Sequence, residues 1–171
     1  IVATHMLESM IESPTPTRAE VTDVSNAVYE ETDAIMLSGE TTVGKYPVRC
    51  VELMDRVARR IERSRGLGYG GEAVLNTEKQ KTIKAAVGLA DSLFGALLLV
   101  FTKSGKTAHR AALLRPRSEI FAFTPEAEPC HSLTLSRGVK GFQIAFSKLP
   151  RETISAAVDL LRTHHGVEKG T

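Results

Sequence analysis

A short apolar run followed by a polar loop constrains the fold of this chain more than any other feature. Residues 34–37 are apolar and bounded by polar residues, which is typical of a strand buried on both faces. Small, hydroxylated and acidic residues form the loop 38–41, and Pro47 then suits the first turn of a helix that continues to about residue 63. Strand, loop and helix in this order predict a βα unit of an α/β protein. Because such proteins bind ligands at the carboxyl ends of their strands, residues 38–41 are the first candidate site.

The same kinds of element recur along the chain. A capping box of Thr17 and Glu20 predicts a helix that ends near Thr32, and Thr77 with Gln80 forms a second capping box in the other half. The elements predicted there are a helix over 77–94 closed by Gly95, strands over 96–101, 120–123 and 142–146, and helices over 107–114, 126–135 and 150–165, the last capped by Gly166. A helix followed by three βα units predicts a small, doubly wound parallel sheet with helices on both faces.

A glycine-rich segment divides the sequence. Residues 66–71 contain four glycines, which raise backbone entropy and provide no side chains for a core. The segment is therefore predicted to be a linker at a domain boundary. We expect one domain over residues 1–64, a linker over 65–76 and a second domain over 77–171.

Both ends of the sequence resemble interrupted elements. Residues 1–4 have the pattern of the last part of a strand, and residues 167–171 form a polar turn that would lead into another strand. We therefore expect the chain to be a piece of a longer polypeptide. Its 171 residues suffice to bury a core in one large or two small domains.

Composition and charge argue against some classes of partner. Hydrophobic residues make up 42% of the chain and charged residues 25%, with a net charge of +2, as in ordinary globular proteins. We therefore expect neither nucleic acid nor a membrane as a partner. Arginines do cluster at the end of the helix predicted from Pro47, but cations suit the helix dipole there, so a solvated helix end explains them better than an anion site. They are Arg56, Arg59, Arg60, Arg63 and Arg65.

The two cysteines indicate a reducing compartment. Cys50 and Cys130 lie in helices predicted in different halves and match no metal-binding or redox spacing. We expect both to be unpaired thiols. The first 12 residues lack the basic start of a signal peptide, and no apolar run approaches the ~18 residues of a membrane span, so a cytoplasmic protein is expected.

Several motifs follow one another in a fixed order through the first part of the chain. They are ATHMLESMI at 3–11, PTPTRAE at 14–20, DVSNAV at 23–28, MLSGET at 36–41 and YP at 46–47. Together they resemble the pyruvate kinase family, and the resemblance continues from about residue 77 to the end. It implies the last two βα units of a TIM (β/α)₈ barrel, followed by an incomplete doubly wound α/β C-terminal domain, which serves in regulation.

The resemblance also implies an activity. Pyruvate kinases transfer a phosphoryl group from phosphoenolpyruvate to ADP in glycolysis, use Mg²⁺ and usually K⁺, bind ATP as product, and form allosteric homotetramers. Their catalytic lysine and metal ligands belong to earlier barrel strands, and none of those motifs occurs in this sequence. We therefore expect no metal site among these residues, and we expect the 171 residues alone to be inactive.

The first candidate site combines two hydroxyls and a carboxylate, those of Thr4, Ser38 and Glu40. Hydroxyls at strand ends can orient a water or a substrate oxygen, and a carboxylate can hold that network or accept a proton. From the residues alone, hydroxyls that only cap local backbone are an equal alternative. By resemblance, Thr4 and Ser38 match the residues that line the phosphoenolpyruvate pocket and help to deliver a proton to the enolate, and Glu40 matches a nearby acidic residue. His5 stands where the family usually has glutamine.

The second candidate site is the loop 102–107, which has a glycine, hydroxyls and lysines at the start of a predicted helix. It is not a Walker A loop, because the first glycine of that motif would fall at Val100, inside a strand. The resemblance implies a loop that holds the phosphate of a sugar-phosphate effector, and a polar turn without a ligand is the alternative. The residues are Thr102, Lys103, Ser104, Gly105, Lys106 and Thr107.

Arg18 resembles an arginine near a contact between barrel subunits, although a solvated arginine at a helix start explains it equally well. Two alternatives to a catalytic pyruvate kinase remain open. One is a non-catalytic sugar-phosphate-binding regulatory module derived from that family, and the other is an interaction protein that uses the family's dimer surface.

Overall fold

The computed structural model describes residues 1–64 and 66–165, and the chain divides into two units, Ile1–Glu72 and Ala73–Thr171. The first unit contains, in order, a 3₁₀-helix (Glu8–Ile11), α1 (Arg18–Tyr29), α2 (Gly39–Thr42), α3 (Pro47–Glu62) and α4 (Tyr69–Glu72). The second unit contains α5 (Glu78–Ser92), β1 (Leu98–Phe101), α6 (Lys106–Leu113), β2 (Ile120–Thr124), α7 (Ala127–Leu133), β3 (Val139–Gln143) and α8 (Pro150–His165). Arg65 and residues 166–171, which include the predicted cap Gly166 and the predicted terminal turn, lie outside the described residues.

The first unit joins its two predicted strands by one parallel bridge between Val2 and Ile35. The N–H of Val2 donates to the carbonyl of Ala34 at 2.9 Å, and the N–H of Met36 donates to the carbonyl of Val2 at 3.0 Å. Their parallel direction agrees with the predicted βα order, but the ladder is much shorter than the apolar runs. Parallel pairing is stable mainly within larger sheets, and here each run has one partner.

Helices α1 and α3 pack over these strands around a sulfur-rich core. Capping by Thr17 and Glu20 is confirmed, because each accepts a hydrogen bond from the backbone of the other. The core consists of Met6, Leu7, Met10, Val24, Ala27, Cys50 and Met54. Two predicted boundaries were wrong: α1 ends at Tyr29 rather than near Thr32, because Glu31 adopts a left-handed backbone, and the predicted loop 38–41 contains the start of helix α2.

The second unit is a three-stranded parallel sheet in the order β1-β2-β3. Successive side chains of a strand point to opposite faces, and the fully buried β2 uses both faces. Its residues Ile120 and Ala122 pack in a cluster with α5, α6 and α7, whereas Phe121 and Phe123 pack in another with Ala157 of α8. The predicted parallel sheet with helices on both faces is therefore confirmed.

Two predictions for the second unit were wrong in detail. The third strand is Val139–Gln143 instead of 142–146, because Val139 is followed by Lys140 and Gly141, which an apolar pattern does not select. Gly141 is needed there, since a Cβ would lie 2.9 Å from the carbonyl oxygen of Cys130. Helix α5 ends at Ser92 before the positive φ of Gly95, which leaves Phe94 fully exposed rather than inside a helix.

Candidate functional site

The carboxylate of Glu40 lies at the centre of the first candidate site. Glu40 belongs to the first turn of α2 and is only 3% exposed. Its Oε1 accepts a hydrogen bond from the N–H of Leu7 at 3.0 Å, and its Oε2 accepts one from the N–H of Ser38 at 2.8 Å. One side chain therefore joins the two segments that follow the paired strands.

Two opposing effects act on the pKa of Glu40. Burial by itself raises the pKa, but the N–H groups of Ser38, Glu40 itself and Leu7, together with the nearby His5, lower it by more. The net pKa is below the ordinary value of 4.5, so the group is ionised at neutral pH. An ionised carboxylate whose two oxygens both accept backbone hydrogen bonds suits a holding role better than proton transfer.

Thr4 and Ser38 follow the two strands that are joined in parallel. Thr4 lies two residues beyond Val2 and Ser38 three residues beyond Ile35, so both are at the same end of the pair. Both residues are exposed. The structure thus brings the three predicted residues to one end of the strands. Thr4 and Ser38 are exposed there, and Glu40 is buried.

Local hydroxyl capping, the alternative to a substrate role, involves other residues of this loop. The carbonyl of Ser38 accepts hydrogen bonds from the Oγ1 of Thr41 at 3.2 Å and the Oγ1 of Thr42 at 3.1 Å. Exposed His5 lies at the same end, with its Nδ1 3.6 Å from the Oε1 of Glu8. Local capping therefore explains Thr41 and Thr42, whereas the side chain of Ser38 makes no cap bond to α2.

Glu20 forms a second carboxylate support that the sequence revealed only in part. Besides capping α1, it accepts hydrogen bonds from the N–H of Ser9 at 2.7 Å and from the Oγ of Ser9 at 2.5 Å. Burial raises its pKa, but the bonds from Ser9 and Thr17 lower the pKa by more. The 3₁₀-helix is thereby fixed to the start of α1, where Arg18 is exposed. The capping pattern gave no sign of Ser9 as a partner, because Ser9 lies 11 residues before Glu20, outside the range of a capping motif.

The second candidate site lies in the other unit, between β1 and α6. Thr102 is 6% exposed, and its N–H donates to the carbonyl of Phe123 at 2.9 Å. Gly105 is the N-cap of α6 and has a φ of 75°, which favours glycine. Its lack of a side chain leaves the first-turn N–H groups of α6 without a side-chain acceptor. Around them Lys103, Ser104 and Lys106 are exposed, and Thr107 is half-buried.

Two hydrogen bonds connect this loop and the start of α6 to neighbouring elements. The Oγ1 of Thr124 donates to the carbonyl of Lys103 at 3.4 Å, which links the loop to the end of β2. One helical turn after Gly105, the Nδ1 of His109 and the Oγ of Ser136 are 2.7 Å apart, which ties α6 to the segment after α7. Sequence reasoning missed this pair, since nothing local connects residues 27 positions apart. Exposed cations beside uncapped N–H groups can bind an anion such as phosphate.

No group of three or more histidine, cysteine, aspartate or glutamate side chains that could hold a metal ion occurs within residues 1–64 and 66–165. Over the same ranges, no helix is long and apolar enough to cross a membrane. Cys50 is buried in α3, Cys130 is half-buried in α7, and neither forms a disulfide. Among the clustered arginines, Arg59 pairs with Asp55 at 2.8 Å on the exposed surface of α3, as expected for a solvated helix end.

Comparison with known proteins decides the family. The model of the pyruvate kinase barrel domain matches residues 1–51, and the model of the pyruvate kinase alpha/beta domain matches residues 80–171. The chain belongs to the pyruvate kinase family. The resemblance and the fold class expected from the sequence, a barrel end followed by an α/β domain, are thus confirmed.

Similar pyruvate kinases occur in bacteria and plants. Pyruvate kinase 2 of Synechocystis sp. is 38% identical, over 99% of this chain and 29% of its own length. The chloroplastic pyruvate kinase isozyme G of Ricinus communis is 43% identical, over 94% of this chain and 39% of its own length. The pyruvate kinase of Methylorubrum extorquens is 41% identical, over 81% of this chain and 30% of its own length. The chain therefore spans about a third of the length of the relatives it matches.

Proposed function

We propose that these residues are the C-terminal part of a pyruvate kinase that transfers a phosphoryl group from phosphoenolpyruvate to ADP, giving pyruvate and ATP. Family membership supports the reaction class. The observation that carries the proposal for this chain is the pair of hydrogen bonds that Glu40 accepts from Leu7 and Ser38. These bonds join the two segments that follow the parallel strands, at one end of the strand pair. Substrate sites of (β/α)₈ barrels lie at such strand ends.

The polar residues of the proposed pocket have two kinds of role. The exposed hydroxyls of Thr4 and Ser38 orient a water or donate hydrogen bonds to the substrate, and through them a proton reaches the enolate carbon formed when the phosphoryl group leaves. Glu40 is a positioning residue, since its oxygens are already used by the N–H groups of Leu7 and Ser38. Preorganised groups of this kind reduce the reorganisation that the reaction requires.

Mg²⁺ does not fit the residues described in this chain, and the family resemblance assigns the K⁺ ligands to earlier barrel strands as well. The described part has no cluster of metal-ligating side chains, and both oxygens of Glu40 accept backbone hydrogen bonds. We therefore assign both cations and the catalytic lysine to the rest of a longer protein, and we derive no step through them here. On this proposal the 171 residues alone are inactive.

The organisation of the whole protein is part of the proposal. We assign residues 1–64 to the end of the barrel domain, 65–76 to a linker and 77–171 to the regulatory α/β domain. Arg18, exposed at the start of α1, is proposed to lie at a contact between barrels of a homo-oligomer, the homotetramer of the family. We place the protein in the cytoplasm, although some relatives, such as the enzyme of Ricinus communis, are chloroplastic by name.

The activity is tested by following pyruvate formation from phosphoenolpyruvate and ADP with the full-length protein that contains these residues. We expect turnover that requires Mg²⁺, and we expect Ser38→Ala and Thr4→Ala to lower kcat by roughly tenfold or more, as for other positioned proton-transfer groups. Thr22→Ala is the control, because Thr22 is exposed on α1 and its hydroxyl bonds only within that helix, to the carbonyl of Arg18. A full-length protein without turnover would contradict the proposal.

The second unit supports an additional candidate function, binding of a sugar-phosphate effector at the loop 102–107. The uncapped start of α6 beside Lys103 and Lys106 carries this proposal. Titration with a panel of sugar phosphates should give saturable binding that Ser104→Ala and Lys106→Ala weaken by about tenfold, the loss expected from removing one charge-assisted hydrogen bond. Lys79→Ala, which removes an exposed charge from α5, should have no effect.

The same titration separates an enzyme from a non-catalytic regulatory module. A module should bind sugar phosphates in the same way and give no pyruvate even as the full-length protein. Absence of any response to sugar phosphates, in the parent and in the variants alike, would contradict the effector site and leave the catalytic proposal untouched.

A further inference from the structure

Glu31 has a backbone conformation that its residue type disfavours. Its φ is 62°, in the left-handed region where a Cβ is strained. Here the strain belongs to a Schellman motif at the end of α1: the N–H of Glu31 donates to the carbonyl of Val28 at 3.0 Å, and the N–H of Thr32 donates to that of Ala27 at 3.3 Å. Glycine is the usual residue at this position. A strained non-glycine residue is a reason to ask what its side chain does.

The side chain of Glu31 bonds to the segment predicted from its glycines to be a linker. Its Oε1 accepts a hydrogen bond from the N–H of Gly68 at 3.1 Å, and its Oε2 accepts one from the N–H of Tyr69 at 3.0 Å. A third bond reinforces the contact, since the N–H of Leu67 donates to the carbonyl of Tyr29 at 3.2 Å. One carboxylate thus holds two backbone groups that lie 37 and 38 residues further along the chain.

Gly66 makes room for this arrangement. A Cβ at residue 66 would lie 2.6 Å from the Cγ and 2.7 Å from the Oε1 of Glu31, closer than real Cβ contacts. Gly71 differs, because a Cβ there would meet nothing within 4 Å. The two glycines therefore differ in what they contribute. Gly66 permits the close approach of Glu31, whereas a side chain at residue 71 would not disturb the contact.

The carboxylate also stands at the beginning of helix α4, Tyr69–Glu72. Negative charge is favoured beside the N–H groups of a helix start, so the bonds to Gly68 and Tyr69 stabilise the turn that follows. The compact first unit extends to Glu72, beyond the glycines. Residues 73–76, which lack helix and strand, follow directly.

We propose that Glu31 is a latch that fastens residues 66–72, the glycine-rich part of the proposed linker, to the first unit, so that the flexible part of that linker is residues 73–76. The proposal concerns the fold and is independent of the catalytic proposal. It explains why a strained glutamate occupies a glycine position, because glycine would relieve the backbone but lose both hydrogen bonds.

Hydrogen–deuterium exchange measured by mass spectrometry on the full-length protein tests the latch. We expect peptides from 66–72 to exchange more slowly than those from 73–76 in the parent protein. Glu31→Gln and Glu31→Gly should each accelerate exchange in 66–72 by at least roughly tenfold, because a hydrogen bond to a charged group is lost. Glu30→Gln is the matched control, since it removes the same charge from the preceding, exposed residue.

Two further variants separate the latch from a general loss of stability. Glu31→Gly should accelerate exchange in 66–72 without accelerating it in α1, because glycine suits the left-handed position. Gly66→Ala should reproduce the effect of Glu31→Gln, and Gly71→Ala should not. Unchanged exchange of 66–72 in both Glu31 variants, or equally fast exchange of 66–72 and 73–76 in the parent, would overturn the proposal.

Discussion

The two candidate sites, one in each unit, are constructed in different ways. Glu40 is buried and joins the backbones of Leu7 and Ser38, which are distant in sequence, whereas the loop around Gly105 is a local turn between a strand and a helix. In the first arrangement distant backbone N–H groups bond to the functional side chain itself, whereas in the second long-range bonds support a turn whose shape depends on the left-handed conformation of Gly105. Substitutions should therefore damage the first site through lost hydrogen bonds and the second through backbone strain.

The largest effect on stability is expected at Glu40. Glu40→Gln replaces one acceptor oxygen by an amide group that faces a backbone N–H, so one buried donor loses its partner. We expect the free energy of unfolding of the full-length protein to fall by about 2–3 kcal/mol, measured by urea denaturation. Glu52→Gln, on the exposed surface of α3, is the control and should change it by less than about 0.5 kcal/mol. Equal stabilities of the two variants would contradict the bridging role.

A smaller effect, of backbone origin, is expected at Gly105. Gly105→Ala places a Cβ at a φ of 75° but meets its nearest neighbour at an ordinary 3.7 Å, so only the conformation is strained. We expect a loss of about 1–2 kcal/mol. Gly88→Ala provides the opposite sign, because Gly88 lies within α5 with nothing within 4 Å, and alanine there should stabilise by about 0.5–1 kcal/mol. Thermal unfolding of both variants measures the difference, and a loss at both glycines would contradict this explanation.

The smallest effect is expected in the pH dependence of stability. The pKa of Glu20 is lowered in the folded protein, so its bonds contribute stability above the ordinary value of 4.5, and this contribution disappears as the pH falls through the lowered pKa. The difference in unfolding free energy between the parent and Glu20→Gln should therefore narrow between pH 7 and pH 3. A difference that stays constant or widens toward acid would show that the carboxylate is not stabilised by folding.

Local patterns predicted the elements well, whereas contacts between distant residues could not be predicted. The capping boxes of Thr17 and Thr77 involve neighbours three residues away, and both are present. The bond from Leu7 to Glu40 spans 33 residues and depends on how two strands pair, which no short pattern records. The bonds of Glu31 to Gly68 and Tyr69 could not be predicted either, because they span 37 and 38 residues. From composition alone, the glycine-rich segment indicated only a linker.

The candidate site residues could be predicted as residue types, but their burial and hydrogen bonds could not. Hydroxyls and a carboxylate after a strand indicated a polar site around Ser38, and the fold brings them to one end of the strand pair. That Glu40 is buried and ionised depends on three backbone N–H groups converging on it, including its own. Sequence distinguishes neither an exposed carboxylate from a buried one nor a positioning residue from a proton donor.

Steady-state kinetics of the full-length protein and its Glu40→Gln variant test the central claim most directly. We expect the variant to remain folded at 25 °C. If Glu40 positions the segments that carry Thr4 and Ser38, the kcat of the variant with phosphoenolpyruvate and ADP should be about ten to a hundred times lower than that of the parent. The reason is that a small displacement of a positioned catalytic group lowers the reaction rate strongly. A variant with the parent's kcat and KM would contradict the account, since the bridge would then hold nothing that the reaction uses.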